Sequence, residues 1–90
     1  MNGRYAISTA GKDAGKLYII VGTEKGMLLL ADGKERTLAN PKKKNVKHVE
    51  VPLQEKTKKL KEMIARRERG CDEEIRQTLH HLWKDNMKYI

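Results

Sequence analysis

The hydrophobic pattern of this chain changes period at Pro52, and no other feature constrains its fold as much. Before Pro52, apolar residues come in short runs such as LYIIV at 17–21 and MLLLA at 27–31, punctuated by Gly, Asp and Asn. Short β-branched and aromatic runs between turn formers read as strands. After Pro52, Leu53, Thr57, Leu60 and Ile64 recur at helical spacing with Met63 beside them, opposite a face of Lys, Glu and Arg. That is the signature of an amphipathic helix.

The first half divides into five expected strands. They are Arg4–Ser8, Leu17–Val21, Met27–Ala31, Lys34–Leu38 and the alternating KHVEV of Lys47–Val51. GTEKG at 22–26 is read as a turn, NPKKKN at 40–45 as a loop, and Asp32-Gly33 as a hairpin turn, since both of its residues tolerate positive φ. Five short strands with tight turns suggest a small barrel or curled sheet. In the second half Gly70 is placed to end the first helix in the left-handed conformation. Asp72 is placed to cap a second helix, with Glu73 and Glu74 favouring its dipole. Ile75, Leu79, Leu82 and Trp83 form that helix's apolar stripe, with Trp83 as a packing anchor. The expected architecture is mostly β: a barrel over 1–52, then a helical hairpin over 53–90 that packs on the barrel or on a partner.

Ninety residues allow one small domain with a modest core. No apolar run approaches the length of a membrane span. The opening MNGRYAIS has no basic segment followed by an apolar one, so a secretory signal is not expected. The single cysteine, Cys71, has no internal partner, which fits a reducing, cytoplasmic compartment. Twenty Lys+Arg against twelve Asp+Glu leave a net charge of +8. A surplus of that size on a small domain favours a polyanionic partner, most often nucleic acid.

The segment AGKDAGK at 10–16 superficially resembles a phosphate-binding loop. That loop needs G-x-x-x-x-G-K-[ST] followed by a helix. Here three residues separate Gly11 from Gly15, Leu17 stands where the hydroxyl belongs, and a strand pattern follows. The glycines therefore read as shaping a strand-linking turn, with Lys12 and Lys16 presented on it.

Lys42, Lys43, Lys44 and Lys47 crowd into the stretch from Pro41 to His48. As a loop they would lie within one Debye length, roughly 8 Å at physiological salt, and an anion would relieve their repulsion. Phosphate contacts of this kind give affinity and salt dependence with little base reading. Arg36 joins Lys12 and Lys16 as a second set of candidate phosphate contacts, and Asn40, Asn45 and His48 are candidate hydrogen-bonding groups. Neutralising two or three of the loop lysines is expected to weaken binding with little effect on folding.

The aromatic set is limited to Tyr5, Tyr18, Tyr89 and Trp83. Tyr18 sits in a strongly apolar strand and is expected to be buried, so phosphate and shape recognition fits better than base stacking on a sheet. Catalysis has little foundation. Cys71 has no base near it in sequence, the adjacent His80 and His81 point to different sides of a helix, and C-x-x-C and H-x-x-x-H spacings are absent. No cofactor or metal is expected. A DNA-reading helix-turn-helix is disfavoured because Asp72, Glu73 and Glu74 would meet the phosphates.

Taken together, Gly3, AGKDAGK at 10–16 and the apolar strand after it resemble the KOW motif of ribosomal and transcription-factor proteins, with Gly15 as its hallmark glycine. ADGKERTLANPKKKNVKHV at 31–49 and GCDEEIRQTL at 70–79 are similar to a bacterial group of small KOW-domain RNA-binding proteins, relatives of a large-subunit ribosomal protein of archaea and eukaryotes. Leu17 and Tyr18 stand where many KOW proteins have a small residue. The resemblance implies an SH3-like barrel that binds ribosomal or other structured RNA without chemistry of its own. A rival reading is a protein–protein adaptor in translation or transcription, with ribosomal proteins among its partners.

Overall fold

The computed structural model of the chain describes residues 1–54 and 58–87. Its elements are β1 (Tyr5–Ser8), β2 (Leu17–Glu24), β3 (Met27–Ala31), β4 (Lys42–Asn45), a 3-10 turn (Val46–His48), β5 (Val49–Glu50), α1 (Lys58–Arg66) and α2 (Cys71–Met87). The strands form one antiparallel sheet in the order β4-β3-β2-β1-β5. That order is linear, with β4 and β5 at its two edges, and the sheet does not close into a barrel. No helix among the described residues is long and apolar enough to cross a membrane.

β2 is apolar without alternation because both of its faces are covered. Ile19 and Val21 join Ala31 in a core with Leu60 and Ile64 of α1 and Ile75 and Leu79 of α2. Tyr18 and Ile20 point the other way, into a second cluster with Ala6, Leu28 and Leu30, against which Val49 and Val51 pack. A strand buried on both sides loses the period-2 signal and reads as a continuous apolar run. The helices thus pack on one face of the sheet, and the sheet's own curl buries the other.

Several expected elements move. The turn at 22–26 contracts to Lys25-Gly26, because β2 continues to Glu24 and pairs Glu24 with Met27. Gly22 lies inside the strand, beside a register shift at Val21, where a Cβ would come within 3.0 Å of Leu29 Cδ1. The strand expected at 34–38 is absent, replaced by bends, and the ladder partner of β3 is the lysine segment 42–45, where the sequence predicts a loop. The span 47–51 is divided: Lys47 and His48 belong to the 3-10 turn, and only Val49–Glu50 pair with β1. Beyond that short pairing, the Gln54 side chain serves β1 as a surrogate backbone. It accepts from the Tyr5 amide and donates to the Tyr5 carbonyl at 2.9 Å.

The helical half shifts too. α1 is described over Lys58–Arg66, Leu53 is 98% exposed, and Thr57 lies outside the described residues. Arg67 (φ 49°) rather than Gly70 takes the left-handed position after α1, with the Glu68 amide donating back to the Met63 carbonyl. This is the Schellman arrangement, closed without glycine. Asp72 does not cap α2, which starts at Cys71. Its carboxylate instead accepts from the Leu38 amide at 2.7 Å, tying the long 32–41 connection to the helix. Trp83 is 54% exposed and anchors nothing in the core.

Asp32 and Gly33 do not form a two-residue hairpin. Asp32 folds the 32–36 segment by accepting from the Lys34 and Arg36 amides, both at 2.9 Å. Gly33 (φ 79°) presses backbone-first onto α2, where an added Cβ would meet the Asp72 carbonyl at 2.2 Å and the Arg76 amide nitrogen at 2.9 Å. Gly26 has the same positive φ but open space around it. Gly33→Ala is therefore expected to destabilise the protein by about 2–3 kcal/mol, and Gly26→Ala by only about 1 kcal/mol, in chemical denaturation. Equal losses would mean that the sheet–helix contact at Gly33 is not tight.

Candidate nucleic-acid interface

Two of the lysines read as phosphate ligands are turned inward. Strand alternation puts Lys42 and Lys44 on one face of β4 and Lys43 on the other. Lys42 and Lys44 reach the Asp13 carboxylate at 2.9 and 2.8 Å, and Lys44 also donates to the Ala10 carbonyl at 2.8 Å. Ser8 Oγ and Tyr18 OH donate to the same carboxylate at 2.8 and 2.7 Å. Asp13 is 11% exposed and the Lys44 side chain 12%. Burial alone pushes the Asp13 carboxyl up, but hydrogen bonds from Lys44, Lys42, Tyr18 and Ser8 overcome it and hold the group far below the usual carboxylate range. The Tyr18 hydroxyl, buried and donating to an anion, is pushed up.

Lys43 pairs with Glu24 at 3.3 Å on the outer face. Lys16 pairs with Asp32 at 2.9 Å and stands 5.2 Å over the Tyr18 ring. Burial pushes the Asp32 carboxyl up, but the Lys16 ammonium and the Arg36 and Lys34 amides hold it low. Asn45 is occupied as the cap of the 3-10 turn, accepting from the Lys47 amide at 2.9 Å. Asn40 is exposed, and its backbone amide closes a turn on Thr37. Arg36 is exposed and contributes its backbone to the Asp32-centred turn. Gly11 (φ 86°) and Gly15 (φ 89°) both take the positive φ that a strand-linking turn needs, and the Gly15 amide donates to the Ser8 carbonyl at 2.7 Å.

The remaining candidates converge. The Thr9 amide donates to the His48 carbonyl at 2.9 Å, and the Val46 amide to the Gly26 carbonyl at 3.3 Å. The 3-10 turn is thereby held between the start of the first connection and the β2–β3 hairpin. The turn carries Lys47 and His48 and ties together the two connections that carry Lys12 and Lys25, and all four residues are exposed. Among the described residues none of these three lysines has a carboxylate partner.

Lys25 was missed by sequence reasoning. It occupies the first central position of a two-residue hairpin at φ 46°, where Asn, Asp or Gly is favoured. A lysine placed where turn chemistry asks for a smaller residue was the available signal. Cys71 has no such role: it is buried at the start of α2, and burial together with the Asp72, Glu68 and Glu74 carboxylates pushes its thiol up, away from the reactive thiolate.

The Asp13 cluster gives a pH-dependent prediction. A carboxyl with a depressed folded-state pKa stabilises the fold above its unfolded pKa, near 3.9, and that stabilisation is lost as pH falls towards the folded value. Asp13→Asn is expected to cost about 3 kcal/mol at pH 7, since it leaves two lysines without their anion. The gap between wild type and variant is expected to narrow below about pH 4 in urea titrations. A gap that stays constant to pH 2 would contradict the assignment.

No family model matches the chain, and no curated protein matches it.

Proposed function

We propose that this protein is a non-catalytic RNA-binding protein of the cytoplasm that docks electrostatically on structured RNA, namely ribosomal RNA or the assembled ribosome. The observation that carries the proposal is the gathering of Lys12, Lys25 and Lys47 beside His48, exposed and without carboxylate partners among the described residues. Three ammonium groups carried on the 3-10 turn and the two connections it bridges repel one another, and a phosphate backbone relieves that repulsion with release of counterions. The strained φ of Lys25 supports the same reading, since a backbone cost borne at an exposed residue suits a side chain kept for its charge.

The KOW resemblance fits this placement. Its glycine-containing turn at 10–16 carries Lys12 to the basic edge, and the curled five-stranded sheet is compatible with an SH3-like barrel as the finer description of the fold. In this reading Lys42 and Lys44 hold the sheet's shape, and the phosphate contacts pass to their neighbours.

The triple variant Lys12→Gln/Lys25→Gln/Lys47→Gln is expected to bind a structured ribosomal RNA fragment more weakly, with its log K against log salt slope shallower by about 2–3. Lys61→Gln, on the exposed face of α1, serves as the control and is expected to leave binding unchanged. Wild-type binding by the triple variant would refute the proposal. Lys25→Asn separates charge from structure: thermal denaturation is expected to show a gain of about 0.5–1 kcal/mol, while RNA affinity falls.

A further inference from the structure

A second surface lies between α2 and the sheet's connections. A groove of about 540 Å³ is floored by the Gly15–Leu17 turn and the 32–35 segment, and walled by Arg76, His80 and Trp83 of α2. Those three side chains lie at i, i+4 and i+7, on one helix face, so their planar groups follow one another over about 10 Å along the axis. Trp83 is the chain's single tryptophan, and more than half of it is exposed. The other rings in the described structure are engaged elsewhere: Tyr18 is buried with its hydroxyl on Asp13, and Tyr5 packs against the helix-facing core.

The charges around the groove are mixed, and their partners decide its character. Asp32 is consumed by Lys16 and two backbone amides, and Glu73 by Arg76 and Gln77. Lys34 is exposed and has no carboxylate partner among the described residues, and Glu35 stays exposed on the same segment. One free ammonium beside a carboxylate is poorly suited to a run of phosphates. It suits one phosphate next to a base, whose flat face takes the indole and whose edge meets hydrogen-bonding groups.

We propose that this groove holds an unstacked RNA nucleotide, its base on the Trp83 indole and its phosphate at Lys34. The inference rests on the RNA-binding reading and adds what that reading lacks: a preference for RNA with an exposed loop or bulge. The basic edge at Lys12, Lys25 and Lys47 supplies affinity for any folded RNA. The α2 groove selects those that present a base out of the stack.

The test uses the tryptophan fluorescence of the full chain, excited at the red edge beyond tyrosine absorption so that it reports Trp83 alone. Titration with an RNA hairpin carrying a single-stranded loop is expected to quench that fluorescence, and a blunt RNA duplex with the same stem is expected to bind without quenching. Trp83→Ala is expected to weaken hairpin binding about 5- to 100-fold and leave duplex binding unchanged, with Trp83→Phe retaining most of the affinity. Circular dichroism checks that the variants fold, and the quenching of the wild-type chain requires no variant. Hairpin binding without quenching, unaltered by Trp83→Ala, would overturn the groove while leaving the RNA-binding reading intact. Failure of the wild-type chain to bind either RNA would remove both. Quenching by a polyglutamate peptide and not by the hairpin would overturn the inference in favour of an acidic protein partner.

Discussion

Asp13 accepts hydrogen bonds from two ammonium groups and two hydroxyls that arrive from three strands: Ser8 of β1, Tyr18 of β2, and Lys42 and Lys44 of β4. β1 and β4 are three positions apart in the sheet, a separation of about 14 Å if the sheet were flat. For one carboxylate in the connection after β1 to reach β4, the sheet has to curl, and the curl is what encloses Tyr18, Ile20, Leu28 and Leu30. A carboxylate this far from water would be a liability with fewer donors. Here every oxygen is engaged, and the cluster fixes which face of the sheet is inside.

The same pairing reorganises the meaning of the chain's positive charge. The excess of +8 is a property of the whole sequence, but its usable part is local. Lys42 and Lys44 are spent on Asp13, Lys43 on Glu24 and Lys16 on Asp32, while Lys12, Lys25 and Lys47, on the 3-10 turn and the connections it bridges, have no carboxylate partner among the described residues. A lysine run seen in sequence thus becomes, in three dimensions, a structural strand flanked by a smaller group of available cations. The proposed RNA surface is made by hydrogen bonds between backbones that are distant in sequence, not by the run itself.

What was legible in the sequence follows from which signals are local. The runs at 17–21 and 27–31 read as strands because each is a short apolar run bounded by turn formers, too short for a buried helix and the first of them rich in β-branched residues, and the 3.6-residue period after Pro52 pointed to a helical second half. Lys42–Asn45 could not be recognised as a strand: its inward-facing positions are lysines, apolar in no scale, and only a distant aspartate makes them internal. Asp32-Gly33 misled for a related reason. Its glycine answers to the backbone of α2, about forty residues later, rather than to a hairpin. Asp72 and Trp83 were assigned by their place on a helix, where tertiary contacts, or their absence, decide what a side chain does.

The two edges of the open sheet carry a further consequence. An exposed strand edge is a template on which another chain can add, the first step of aggregation. On one side the edge strand is KKKN, whose three lysines outnumber their two carboxylate partners, Asp13 and Glu24, and keep the edge positive, so that a second copy is costly to lay alongside. On the other, β5 pairs only two residues of β1, and the Gln54 amide occupies the next donor and acceptor, at Tyr5. A charged strand and a single glutamine thus keep a small, unclosed sheet from growing by edge addition.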